Sequence, residues 1–309
     1  IMDTIYNPYA LSDSFYKEEV ENAKNRLSVY IESGFKNINS YANIRMEELV
    51  DDCHYFSDSI YQHKKDIHKV TSKELYSYYK EIIGSKKPLV FAYGNIEDSF
   101  ADLLKKSFGE SRECSSYIPY QIRPFLPREE VNLVEETGTY NQSILKFVYK
   151  IKDYKQEDEV YFSLLRFLLS SQSTRILQEF LRDRDKLVYT ASSDYNVCHG
   201  LFIIHAQIYR EKYEVAKQTI FEIIKRLQDV SFLSPKIESI KERKRINLER
   251  QKDSFSSLIA DFRMKYFQTG YPLNEEYEIL KKITPEEFVD FVKRLKLDTI
   301  YYLEGSKDE

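Results

Sequence analysis

Few residues of this chain are of the types that hold a metal or attack a carbonyl, and their spacing suits neither task. The five histidines are His54, His63, His68, His199 and His205. None opens a His-x-x-Glu-His sequence, in which two imidazoles on one helical face bind zinc and the glutamate activates water. His63 and His68 are five apart, whereas ligands on one helical face sit three or four apart. The pattern reads His54, His63 and His68 as solvated surface, Cys198-His199 as a turn before a strand, and His205 as a satisfied, half-buried strand residue. Cys53, Cys114 and Cys198 are odd in number and lack paired spacing. That argues against a disulfide framework or a Cys-rich zinc site and fits a reducing compartment. Neither a Gly-rich phosphate loop nor a Gly-x-Ser-x-Gly nucleophile turn is present.

Charge excludes further classes. A net charge of −4 supplies no general attraction to phosphate backbones or anionic lipid, so neither nucleic acid nor a membrane is an expected partner. No apolar run reaches the roughly 18 residues of a membrane helix, and Ile1-Met2-Asp3-Thr4 lacks signal-peptide character. A cytoplasmic location is expected, with whatever precedes Ile1 left open. The 26 Tyr and 19 Phe fall mostly in alternating or helical apolar patterns and read as core or interface. In the basic segment Lys236–Lys252, glutamates interleave with lysines and arginines, the mark of a solvated, salt-bridged helix face.

Periodicity predicts helices over 14–34 and 41–61 and a third beginning at Thr71. Thr71-x-x-Glu74 and Thr284-Pro285-Glu286-Glu287 are capping boxes, in which the threonine hydroxyl accepts from an early amide and the glutamate reaches back. Each capped helix is expected to feed a short apolar strand. Beyond a helix at 99–108, a stretch with Pro119, Pro124 and Pro127 should be extended and exposed. Strands follow near 131–136, 143–151, 187–193 and 200–208. Helices are expected near 157–170, 173–184, 212–229, 235–251 and 254–268.

The chain repeats itself. Tyr41-Ala42-Asn43-Ile44-Arg45-Met46 is echoed by Ile259-Ala260-Asp261-Phe262-Arg263-Met264, an offset of 218 residues (42 to 260). The segment from Thr71 through Pro88-Leu89-Val90-Phe91-Ala92-Tyr93-Gly94 is echoed by Thr284 through Thr299-Ile300-Tyr301-Tyr302-Leu303-Glu304-Gly305, an offset of 213 (71 to 284). Offsets of this size indicate duplicated domains rather than a solenoid, whose period is roughly 20–50 residues. The second copy spans a whole α+β unit, and the first lacks its opening.

The stretch from Ser170 to Ser193, containing Leu181-Arg182-Asp183-Arg184-Asp185-Lys186-Leu187-Val188-Tyr189, resembles the C-terminal domain of insulinase/pitrilysin-type zinc peptidases. In that family a helix ending in an Arg-Glu-Lys-like stretch runs into a Leu-Ala-Tyr strand. Gly200–Ala206 is similar to the next strand of those proteins and Thr299–Gly305 to their terminus. The likeness extends over nearly the whole chain, nearest to mitochondrial-processing-peptidase-like members and to a bacterial non-catalytic form without the His-x-x-Glu-His motif. It implies an α+β fold of two homologous α/β-sandwich domains around a peptide-holding chamber. The expected division is 1–97 for the C-terminal part of a first domain, truncated at its N-terminus, 98–130 for a linker, and 131–309 for a complete second domain.

In the family an arginine and a tyrosine seven residues later reach from the second half to the substrate, and Arg182 and Tyr189 match them. A guanidinium can fork onto a peptide carbonyl or carboxylate, and a phenol can donate to a developing oxyanion. The same residues could instead close a helix end and fill a strand face. The family's later zinc-ligand glutamate lies seven residues after another glutamate, on the helix that corresponds to 15–33. Here the glutamates are Glu18, Glu19, Glu21 and Glu32, no two seven apart, and the best alignment puts Ala23 and Tyr30 at the two sites. The resemblance therefore implies no metal in this chain and zinc in an active partner. The expected function is an inactive subunit that binds peptide, pairs with a zinc-bearing homologue or with itself, and contributes Arg182 and Tyr189 to a shared site. The alternatives are an active zinc peptidase whose metal helix precedes Ile1, and a non-proteolytic peptide-binding scaffold.

Overall fold

The computed structural model describes residues 2–50, 64–85, 89–108, 123–171, 174–251, 254–267 and 270–306. Two compact units emerge: 1–37 with 57–118, and 38–56 with 119–309.

The first unit is helical among the described residues: α1 (Met2–Tyr6), α2 (Lys17–Lys36), α4 (Lys64–Ile67), α5 (Ser72–Ser85) and α6 (Asp98–Phe108). Phe15 packs edge-on against Tyr76 and Tyr79, and the Tyr79 hydroxyl donates to the Ile5 carbonyl at 2.7 Å. The Thr71 capping box forms as the sequence predicts: Thr71 N donates to Glu74 Oε2 at 2.9 Å, and Glu74 N to Thr71 Oγ1 at 3.2 Å. The strand expected after it does not form, since residues 89–93 are coil. A strand needs a neighbour for its N–H and C=O groups, and no described residue of this unit offers one.

The second unit is an α+β fold. Its strands are β1 (Asn132–Gly138), β2 (Ser143–Ile151), β3 (Val188–Asn196), β4 (Leu201–Ile208) and β5 (Leu295–Gly305), in the order β1-β5-β2-β4-β3. β1 runs parallel to β5 and the other pairings are antiparallel, so the sheet is mixed and open. β2 sits third from either edge with every side chain buried, and its sequence SILKFVYKI is accordingly apolar on both faces apart from two lysines.

One face of the sheet carries the main core. Against it pack α7 (Asp158–Ser170), α8 (Ile176–Gln178), α9 (Tyr213–Arg226), α10 (Val230–Gln251) and α13 (Pro285–Arg294), with α11 (Phe255–Phe267) and α12 (Leu273–Leu280) completing the helical set. Phe162 of α7 stands edge-on to Phe291 of α13 at 5.3 Å and parallel to Phe202 of β4 at 6.1 Å. The Thr284 box caps α13 as predicted and turns Phe288, Val289, Phe291 and Val292 inward. Along α10 the ion pairs Lys241–Glu238 and Arg245–Glu242 form the salt-bridged face read from the sequence. The sequence pattern assigns no element to α12, which starts after Pro272.

The opposite face is covered by α3 (Ile38–Val50). Its Ala42 meets Ile144, Tyr301 and Leu303, and its Met46 and Val50 meet Val148 and Leu201. Arg45 fixes the helix laterally, pairing with Glu136 of β1 at 2.6 Å and with Glu48. The remainder of the helix expected to residue 61 lies outside the described residues.

A buried ion cluster ties these parts together. Asp298 is fully buried and accepts from Arg128 Nη1 at 2.9 Å and from Lys150 Nζ at 3.2 Å, while Arg128 Nη2 donates to the Leu49 carbonyl. The proline segment before β1 is therefore not simply exposed. Phe125 is buried, stacks on His199 at 4.4 Å and donates its amide to the His199 carbonyl, and Arg123 N bonds to the Cys198 carbonyl.

Candidate functional site

Arg182 and Tyr189 are both held by departures from regular backbone. After Arg175, whose φ of 44° is left-handed, the chain makes one turn of α8 and then widens into a π-helical turn over Glu179–Arg184. Phe180 and Leu181 of that turn point into the core. Arg184 lies over the Phe180 ring at 4.6 Å and pairs with Asp185 at 2.7 Å and with Glu222 of α9 at 3.2 Å, while Arg226 of α9 covers the same ring at 5.2 Å. Cation–π and charge-paired contacts thus clamp the turn to α9.

The turn closes at Lys186, whose φ of 49° is left-handed. Lys186 N bonds to the Arg182 carbonyl and Leu187 N to the Leu181 carbonyl, each one residue wider than the usual closure at a helix C-terminus. Single π-turns within helices cluster at functional positions. Here the widening leaves Arg182 exposed between buried Leu181 and clamped Arg184, and no hydrogen bond or ion pair joins its guanidinium to a described residue.

Tyr189 sits on β3, an edge strand. Val188 pairs with Ile208 but Thr190 with Gln207, so Tyr189 is the extra residue of a β-bulge. Bulges re-aim side chains beside sites. The Tyr189 ring rests on Tyr209, with centroids 4.2 Å apart. The sequence shows the seven-residue spacing of the pair but neither irregularity, because both arise from how the turn and the strand pack.

The two positions aligned with the resembled family's glutamates lie on α2. On α2, Ala23 and Tyr30 are exposed at the two aligned positions. Of the helix's glutamates, Glu32 pairs with Lys64 at 2.9 Å and Glu21 with Lys24 at 2.7 Å. Among the described residues, no group of three His, Cys, Asp or Glu side chains is arranged to hold a metal. The donor set on α2 does not fit zinc. His54 and His63 lie outside the described residues and His68 is exposed.

A second polar feature lies on the α3-covered face. Lys146 of β2 is 2% exposed and bonds to Asn43 Oδ1 at 2.5 Å, and His205 stands opposite it on β4. His205 is half-buried as predicted but not satisfied: its Nδ1 is shut off from solvent without a hydrogen-bond partner among the described residues. Burial, reinforced by the Lys146 charge, lowers its pKa to about 3, and burial lowers that of Lys146 to about 8. The sequence reading passed over Lys146, although a lysine amid SILKFVYKI was the available signal.

Comparison with known proteins bears on the whole arrangement. The family model described as "Peptidase M16 inactive domain" matches residues 69–237, more than half of the chain, including Arg182 and Tyr189. The chain belongs to the peptidase M16 inactive-domain family. It is thus an insulinase/pitrilysin-type peptidase homologue. The curated "Probable inactive metalloprotease YmfF" of Bacillus subtilis (strain 168) is 18% identical over 316 residues, spanning 99% of this chain and 72% of that protein. In fold, a conserved protein from Enterococcus faecalis V583 matches with a TM-score of 0.76 at 20% identity, over 98% of this chain and 72% of that one. A peptidase M16 inactive domain from Pseudomonas fluorescens matches with a TM-score of 0.71 at 15% identity, over 96% and 72%. No described helix is long and apolar enough to cross a membrane.

Proposed function

We propose that this chain is a non-catalytic M16 subunit that grips an extended peptide with Arg182 and Tyr189 and lends both to a site shared with a zinc-bearing homologue. The observation that carries this reading is the exposed guanidinium of Arg182 on its clamped π-turn. An arginine held by a rigid backbone, without a partner among the described residues, is preorganised to fork onto a peptide carbonyl or carboxylate. Tyr189, seated on Tyr209, supplies a donor from a strand edge. The donor set of α2 supports placing the metal in the partner chain. A cytoplasmic setting, and the division into 1–97 and 131–309 joined by 98–130, belong to the same proposal.

The test is reconstitution. A zinc-bearing M16 homologue is assayed on an unstructured peptide alone, with this protein, and with Arg182→Ala or Tyr189→Phe. Stimulation that falls at least about ten-fold in Arg182→Ala supports the shared site, as expected for losing a charged hydrogen bond. Equal stimulation by both variants sinks it. Stoichiometric zinc bound by this protein alone would favour the active-peptidase reading instead.

A further inference from the structure

Four side chains line up across the α3-covered face: Ser192 on β3 faces His205 on β4, His205 faces Lys146 on β2, and Lys146 faces Tyr301 on β5. Direct antiparallel partners have Cα atoms about 4.5–5.5 Å apart, so neighbouring members can share one ligand atom. Exposure falls along the row, from exposed Ser192 through half-buried His205 to buried Lys146. Ser192, on the edge strand of the described sheet, is the exposed end of the row.

Its hydrogen-bonding capacity is mostly unused. An ammonium carries three donors, and Lys146 uses one, on Asn43. His205 makes no hydrogen bond to a described residue. Glu47 of α3 favours the charged lysine but forms no ion pair with it, and Tyr301 directs its hydroxyl to Glu136. Packing alone does not account for these residues. The flanking positions on the same face are Ile144 and Val148, and an apolar residue at 146 would avoid the cost of burying an ammonium. Buried polar groups are normally satisfied, and a bound anion would accept from the His205 ring, which has no partner among the described residues, and from the remaining Lys146 donors.

We propose that the Ser192–His205–Lys146 row is a subsite for a carboxylate of the bound peptide, from an acidic side chain or the C-terminus. The carboxylate enters past Ser192, accepts from Lys146 Nζ and the ring N–H of neutral His205, and receives the Ser192 hydroxyl at its outer oxygen. Tyr189 lies three residues from Ser192 on the same strand, about 10 Å away at the rise of an extended chain. A peptide held at Tyr189 therefore reaches the row within a few residues. This inference rests on the peptide-binding reading and adds a substrate class to it.

The experiment measures fluorescence anisotropy of labelled unstructured peptides binding to the full chain. One set carries glutamate at each position in turn, each with a glutamine twin, and a separate pair differs only in a free or amidated C-terminus. The best acidic peptide is expected to bind about ten-fold tighter than its neutral twin, as for a hydrogen bond to a charged group. Whether a glutamate set or the C-terminal pair shows the difference identifies the source of the carboxylate. Lys146→Met should bring the ratio to about one. Because that position is buried, Ser192→Ala at the exposed end of the row is the companion variant, expected to reduce the ratio two- to three-fold, the scale of a weak neutral hydrogen bond. A ratio of one in every pair, or an unchanged ratio in both variants, overturns the subsite and leaves the peptide-binding reading standing. Failure of both twins to bind, or a neutral-twin affinity unaffected by Arg182→Ala, overturns the peptide-binding reading and the subsite together.

Discussion

The two capped helices begin from the same sequence device and reach different ends. Behind Thr284, α13 buries four side chains and delivers β5 into the middle of a sheet, where Thr299–Leu303 are buried. Behind Thr71, α5 has no buried residue, and Leu89, Val90 and Tyr93 remain 45%, 39% and 55% exposed. The caps are alike because a capping box is a local agreement among four residues. The strands differ because a strand is completed only by its neighbours: β5 has β1 and β2, and residues 89–93 have no such neighbour among the described residues. Helix ends are thus specified by short sequence, and sheet membership by distant sequence.

Mutations can break or sharpen this contrast. The largest effect should come where the second unit depends on long-range pairing. Asp298→Ala takes the carboxylate from buried Lys150 and should cost about 3–5 kcal/mol, read as a drop in the urea midpoint. Next comes the matched pair that follows the two caps. Phe288→Ala should cost about 3–5 kcal/mol in that assay, while Leu75→Ala at the equivalent, 37% exposed position should cost about 0.5 kcal/mol or less. Equal costs would show that α5 is as deeply supported as α13.

The third test is a pH dependence confined to the sheet. His205 has a folded pKa of about 3, below its unfolded value of about 6.5, so the folded state binds fewer protons between those limits. The stability tied to neutral His205 is complete above about pH 6.5 and is lost as pH falls toward 3. Denaturation at pH 7 and pH 4 should show a loss about 3 kcal/mol smaller in His205→Gln than in the parent, with Lys146 and Glu47 the facing charges. Parallel pH profiles would show that burial of His205 carries no such penalty. The smallest effect concerns the caps themselves. Thr284→Ser should be near neutral and Thr284→Ala should cost about 1 kcal/mol, and Thr71→Ala should cost the helicity of α5 a similar amount.

The strands at 143–151 and 200–208 were legible because their β-branched and aromatic residues fill both faces of a central sheet. The capping boxes were legible because they are local. What stayed hidden is tertiary. Nothing in Ile38–Val50 reveals which sheet the helix covers, since its apolar face would suit any partner. The π-turn depends on Phe180 and Leu181 seating in the core while Arg184 is drawn to Glu222, thirty-eight residues away. His205 reads as an ordinary strand histidine until Lys146 is seen opposite it.

The position of β5 also sets a schedule for making the protein. β1 and β2 do not pair with each other; each pairs with β5, which is built from residues 295–305. During synthesis, therefore, most of the apolar helical layer emerges while the strand that joins β1 to β2 has not yet been translated. The sheet can close only after those residues leave the ribosome, and its contacts span more than 150 residues of sequence. Such long-range closure makes for slow folding and a lasting need for protection of the nascent chain from aggregation.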